Sequence, residues 1–106
     1  GWGHEAYDSR TYRNLRTQFY CIVAKKLEKG LYDFSQLDTI QYEKLKNQLC
    51  AIKVKPCDAK GRLQIETKAD LKARQIESPD SADSLMMSEY GFYQGKIGDI
   101  EPIAYR

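Results

Sequence analysis

The sequence contains no apolar run longer than Phe19–Ala24. A helix that crosses a bilayer needs about 20 apolar residues, so a membrane-spanning helix is excluded. The N-terminus has no basic stretch leading into an apolar one, so no signal peptide is expected. Histidine is nearly absent: His4 is the only one. The cysteines are Cys21, Cys50 and Cys57, and no pair forms CxxC. A zinc site of the usual spacing is therefore not expected, and reduced thiols in a cytoplasmic protein are the natural reading. There is no G-x-x-x-x-G-K-[ST] run, so this stretch carries no phosphate loop. Internal repeats and low-complexity tracts are missing as well.

What remains is an ordinary globular composition. The chain has 106 residues, 42% of them hydrophobic and 30% charged, with a net charge of +2. That length corresponds to one small domain over 1–106. The mild excess of basic residues permits nucleic-acid contact without requiring it. From about Arg10 to Lys29, Tyr12, Leu15, Phe19, Ile22, Val23 and Leu27 recur at helical spacing. Asp8 or Ser9 is a candidate cap for this helix, and Gly30 its stop. A shorter helix is expected from Thr39 to Gln48, capped by Asp38, with Leu45 and Leu49 on its buried stripe. The period then changes to two. Cys50, Ile52 and Val54 alternate with Lys53 and Lys55, and Leu63 and Ile65 with Gln64 and Glu66. With Asp58–Gly61 between them, the two runs predict a β-hairpin. A short helix over Ala69–Arg74 follows. Ser78 and Pro79 then open a last helix that runs to about Tyr90 and stops at Gly91. Residues 91–106 have no clear period and read as a loop-like tail. The resulting class is α+β.

Two features carry chemical interest. Asp80 and Asp83 lie three residues apart, on one face of the last helix. Two carboxylates so placed suit a hard divalent cation, Mg²⁺ or Mn²⁺. The same pair is also what the helix dipole favours in a first turn with no function at all. Arg16 projects at the margin of the apolar stripe beside Val23 and Leu27. Its guanidinium must either reach water or pair with a carboxylate, for which Glu66, Asp80 and Asp83 are the candidates.

The order of three motifs is similar to that in a known family. Tyr12-Arg13-Asn14-Leu15-Arg16-Thr17-Gln18 resembles the asparagine–x–arginine helix start in the C-terminal nuclease domain of phage terminase large subunits. Gly61-Arg62-Leu63-Gln64-Ile65-Glu66-Thr67-Lys68-Ala69-Asp70-Leu71-Lys72-Ala73-Arg74 resembles the strand and lysine-rich helix that follow. Ser78-Pro79-Asp80-Ser81-Ala82-Asp83-Ser84-Leu85 resembles the closing signature. The resemblance covers about residues 7–90.

It implies a ribonuclease H-like α/β nuclease domain behind an ATP-driven motor, which together package phage DNA and cut the concatemer. It also implies two-metal phosphodiester hydrolysis with Mg²⁺ or Mn²⁺. The family's last metal-binding carboxylate falls at Asp83, with Asp80 its neighbour or co-ligand, so these two are the expected catalytic and metal residues. Lys68 resembles a family lysine near the site and, with Lys72, would meet DNA phosphate. Double-stranded DNA, the rest of the large subunit, the portal and the small terminase subunit are the implied partners, in the host-cell cytoplasm.

The family's other acidic ligands and its phosphate loop lie upstream of these residues, and Glu5, Asp8 and Glu66 are not in the motif context that would let them replace those ligands. The chain is thus expected to be a C-terminal piece, a fragment of the nuclease fold, inactive alone. With the central sheet missing, it is also expected to form a homodimer that covers Leu15, Phe19, Ile22 and Val23. The competing reading is a free-standing, non-catalytic DNA- or protein-binding module.

Overall fold

In the computed structural model, residues 4–94 are described. The elements in chain order are α1 (Leu15–Glu28), α2 (Thr39–Ala51), β1 (Val54–Lys55), β2 (Gln64–Ile65), α3 (Lys68–Ala73) and α4 (Asp80–Gln94).

Helix α1 begins five residues later than its hydrophobic period suggests. The Asn14 side chain accepts from Thr17 N at 2.9 Å and caps it. Asp8 instead closes a turn, accepting from Thr11 N. The reason is tertiary. Leu63 N donates to Thr11 O and Arg13 N donates to Leu63 O, both at 2.8 Å, so Tyr12 is drawn out as a bridge parallel to Leu63. Tyr12 is fully buried, but in extended chain and not on a helix. Leu27, assigned to the buried stripe by spacing, is 37% exposed.

Asp38 caps α2 through a capping box with Gln41. The helix runs on to Ala51, so Cys50 is helical and exposed and does not belong to a strand. The hairpin is correspondingly short: Val54 pairs with Ile65 and Lys55 with Gln64, antiparallel. Gly61, at φ +74°, makes its turn. Helix α4 does not stop at Gly91 but continues to Gln94. Residues 95–106 of the expected tail lie outside the described residues.

One apolar cluster holds the elements together. Phe19, Ile22 and Val23 of α1, Leu45 and Leu49 of α2, Ile65, Leu71, and Ala82 and Met86 of α4 are all buried in it. Phe19 receives Tyr90 and Tyr93 of α4 edge-on, at 5.5 and 5.7 Å between ring centroids. Such geometry favours the ring quadrupoles. Lys26 and the Tyr32 hydroxyl both reach Glu89, at 2.7 and 2.8 Å, and fix the other end of α4 to α1. The face of α1 expected to need a second copy is thus covered by the chain's own α4.

The end of α3 is the strained point. Gln75 has φ +62°. Its N–H donates to Lys72 O and that of Ile76 to Leu71 O, both at 2.9 Å. This is a Schellman turn with glutamine where glycine is favoured. A left-handed conformation costs an L-residue about 1–2 kcal/mol. Gln75→Gly should therefore raise stability by up to about 1 kcal/mol in a urea melt, whereas Gln75→Val should lower it.

Candidate metal and nucleic-acid site

Three helix starts converge on one carboxylate. The Asn14 cap puts Arg16 in the first turn of α1. Thr67 and Asp70 form a reciprocal capping box, with both bonds at 3.0 Å, and this makes Lys68 the first residue of α3. Pro79 supplies the carbonyl that Asp83 N bonds at 2.8 Å, and Gln48 of α2 reaches across to accept from Ala82 N at 2.9 Å. A side chain of another helix therefore satisfies a free N–H of the first turn of α4. Ser78, expected to cap α4, instead donates its hydroxyl to Asp80 Oδ1 at 2.8 Å.

Asp83 is buried, at 6% exposure. Its Oδ1 lies 3.8 Å from Arg16 Nη2 and its Oδ2 lies 2.9 Å from Lys68 Nζ. Among the described residues neither oxygen accepts a hydrogen bond, and the same holds for donation by Nε and Nη2 of Arg16. The lysine contact is close but outside hydrogen-bonding angles. A buried, charged, acceptor-only group in this state has unused coordinating capacity.

Arg16 is equally buried. Its Nη1 donates to the carbonyl of Glu66. Burial lowers the guanidinium pKa below its ordinary value, opposed by Asp83 and then by Glu66. The Glu66 carboxylate itself is fully engaged. It accepts Arg74 Nε at 2.8 Å, Arg74 Nη2 at 2.7 Å and Lys53 N at 2.9 Å. These bonds, that of Arg74 foremost, hold its pKa below the usual carboxylate range. Glu66 is therefore a structural anchor, turned toward Lys53 and Arg74 and bonded at both oxygens.

The helical spacing of Asp80 and Asp83 thus does not give them like surroundings. Asp83 is enclosed with Arg16 and Lys68, whereas Asp80 is exposed on the opening turn. Lys72 is exposed on α3, with no ion pair among the described residues. Among the described residues no group of three His, Cys, Asp or Glu side chains could hold a metal ion. The donors present fit one corner of a hard-cation site, a single carboxylate whose oxygens accept no hydrogen bond and whose Oδ2 faces the Lys68 ammonium.

The arrangement of the helices and the hairpin matches solved structures. The chain has the fold of part of a phage terminase nuclease domain. It matches the nuclease domain of the large terminase subunit gp2 of bacterial virus Sf6 with 27% sequence identity and a TM-score of 0.71, over 81% of this chain and 49% of that one. A lysine-to-alanine mutant of that Sf6 domain, with manganese, matches to the same degree over 50% of its length. A mutant form with calcium matches at 28% identity and a TM-score of 0.66, over 82% of this chain and 47% of that one. The chain therefore spans about half the length of the terminase structures it matches. No protein-family model matches the sequence, and no curated protein matches it either. Against the terminase nuclease fold, this chain is a mixed helical fragment with a small two-stranded antiparallel sheet.

Two outcomes follow from the charges. Removing one partner of a buried pair costs about 3–5 kcal/mol. Arg16→Leu should therefore lower stability by about that much, while Arg13→Leu, at a side chain that is 53% exposed, should change it by less than about 0.5 kcal/mol. Equal effects in thermal melts would show that Arg16 contributes only its stem. Glu66, whose pKa is depressed on folding, contributes stability that is present above about pH 4 and lost as the pH falls through its folded value. Glu66→Gln should be less stable at neutral pH and should flatten the acid limb of the stability profile.

Proposed function

We propose that this chain is the C-terminal segment of the nuclease domain of a phage or prophage terminase large subunit, which cuts concatemeric double-stranded DNA during packaging. The observation that carries this reading is the buried Asp83 carboxylate, with two unbonded oxygens beside Lys68, in a chain with the fold of a terminase nuclease domain. In this reading Asp83 is a metal ligand and Asp80 its solvent-side neighbour. Lys68 and Lys72 meet DNA phosphate, and Arg16 is the ion pair that sets the position of Asp83. The remaining carboxylates and the central sheet come from the rest of the large subunit, with the portal and small subunit as further partners in the host-cell cytoplasm. Two-metal phosphodiester hydrolysis is the chemistry such a site supplies when Mg²⁺ or Mn²⁺ is bound.

This chain's own residues hold and orient one ligand. The guanidinium of Arg16 keeps a positive charge behind Oδ1, so the carboxylate stays oriented when Lys68 swings away. The Lys68 side chain is 55% exposed and attached at a helix start. It can exchange the carboxylate for a phosphate oxygen without moving the backbone.

Mn²⁺ titration followed by electron paramagnetic resonance tests the assignment. The chain should bind Mn²⁺ weakly. Asp83→Asn should abolish binding, Asp80→Asn should weaken it less, and Lys68→Ala should strengthen it, because an ammonium no longer competes for Oδ2. Binding unchanged by Asp83→Asn would overturn the ligand role. Plasmid incubated with Mn²⁺ and this chain alone should remain intact, since the other metal-binding carboxylates are supplied elsewhere. Nicking abolished by Asp83→Ala would show that the site is complete here.

A further inference from the structure

A second cluster of charge lies at the other end of β2, apart from Asp83. A recess of about 420 Å³ is lined by Glu5, Ser9, Arg10, Lys60 and Arg62. Arg62 is its fixed wall. Its Nε donates to Asp58 Oδ2 at 2.9 Å and its Nη1 to the carbonyl of Ser9 at 3.3 Å, and its side chain is only 14% exposed. Asp58 is fixed in turn, accepting from the N–H groups of Lys60 and Arg62 at 3.0 and 2.9 Å. These bonds lower its pKa, with the backbone bond from Arg62 first. Asp58 is thereby spent on holding the turn and on pairing with Arg62. Arg10 and Lys60 are exposed on either side of Arg62 and form no ion pair among the described residues. Arg13, 53% exposed, stands 3.9 Å from the same aspartate. Among the lining residues Glu5, itself exposed, is the acidic one, and Asp58 stands behind Arg62.

This is a preorganised recess with two free cations and a guanidinium whose plane is already set. Such a recess suits a phosphate: Arg10 and Lys60 supply the charge, and Nη2 of Arg62, the guanidinium nitrogen not bonded to Asp58 or Ser9, is left as a donor in a fixed plane. From Arg62 to Lys68 the chain runs through β2. Six residues at about 3.3 Å each place the recess at most about 20 Å from the Lys68 end. That span is less than one turn of duplex, about 34 Å.

We infer that Arg10, Lys60 and Arg62 form a cradle for a backbone phosphate of duplex DNA, away from the carboxylate and within the same turn of the helix. This rests on the reading of the chain as a nuclease segment and adds to it a second anchoring point that fixes the register of the duplex.

The test is binding of a fluorescently labelled 20-base-pair duplex, an oligomer of about two turns, by the whole chain in EDTA so that no metal contributes. Arg10→Glu/Lys60→Glu is compared with Lys29→Glu/Lys44→Glu, an equal charge change at exposed positions just after α1 and on α2. Thermal melts establish that both variants fold. The cradle variant should bind at least tenfold more weakly. Its dependence of log K on log salt should flatten by about one, since each phosphate that the protein neutralises contributes about 0.9 to that slope. The control should lose less than threefold. Equal losses in both variants, or none in the cradle variant, would overturn the cradle, and so would a parent chain that does not bind duplex. Displacement of the duplex by inorganic phosphate beyond that caused by chloride of equal ionic strength would identify a small-anion site and would also overturn it. The metal reading stands or falls separately, on the Mn²⁺ titration of Asp83, which involves no DNA.

Discussion

The interaction on which the arrangement depends is the burial of the Arg16 guanidinium. A charge so placed is costly unless several acceptors surround it. Here the compensation comes from two other parts of the chain: the carbonyl of Glu66, just after β2, accepts a hydrogen bond, and the carboxylate of Asp83 on α4 supplies the opposite charge at 3.8 Å. Because α1 cannot leave that cation unpaired, the hairpin and α4 are held to its first turn. Glu66 extends the constraint, since its side chain binds Arg74 and the Lys53 N–H and so ties α3 and β1 to the same point. One residue just after β2 thus serves Arg16 with its main chain and Arg74 with its side chain.

The apolar seam does the complementary work. Helix α4 lies against both α1 and α2, and Phe19 is enclosed by tyrosines along it. Burial of this kind is non-directional. It fixes how close α4 approaches but not its rotation about its own axis. The rotation is set by polar contacts at its two ends, Gln48 to Ala82 and Lys26 with Tyr32 to Glu89. Between those pins, Asp83 can face only the cluster of Arg16 and Lys68.

Local chemistry was largely legible in the sequence. The Asp38 cap, the change from helical to alternating period and the Ser-Pro opening of the last helix all reflect interactions within a few residues of chain. What was not legible came from partners distant in sequence. The helical period through Tyr12 continues smoothly, yet the segment is pulled out by pairing with Leu63, some fifty residues away. Val54 alternates correctly but lies on an uncovered face at 60% exposure. Gly91 lies inside α4 because tertiary packing carries the helix past it, and the open space where its Cβ would stand shows that no close approach requires glycine there. For the candidate site, the i, i+3 spacing located both aspartates, but only the surrounding elements separate a buried carboxylate from a solvated one. The ties of Glu66 to Arg74 and of Gln48 to α4 had no local signal at all.

The bond from Gln48 to Ala82 also bears on the order of assembly. The two residues are 34 positions apart, so the first turn of α4 gains its external acceptor only after the intervening loop, hairpin and α3 have closed. Without that contact the N–H of Ala82 has no acceptor within α4, and the turn that carries the aspartate is held less firmly. Organisation of the carboxylate site is therefore coupled to the docking of α2, through a contact that closes 34 residues of chain.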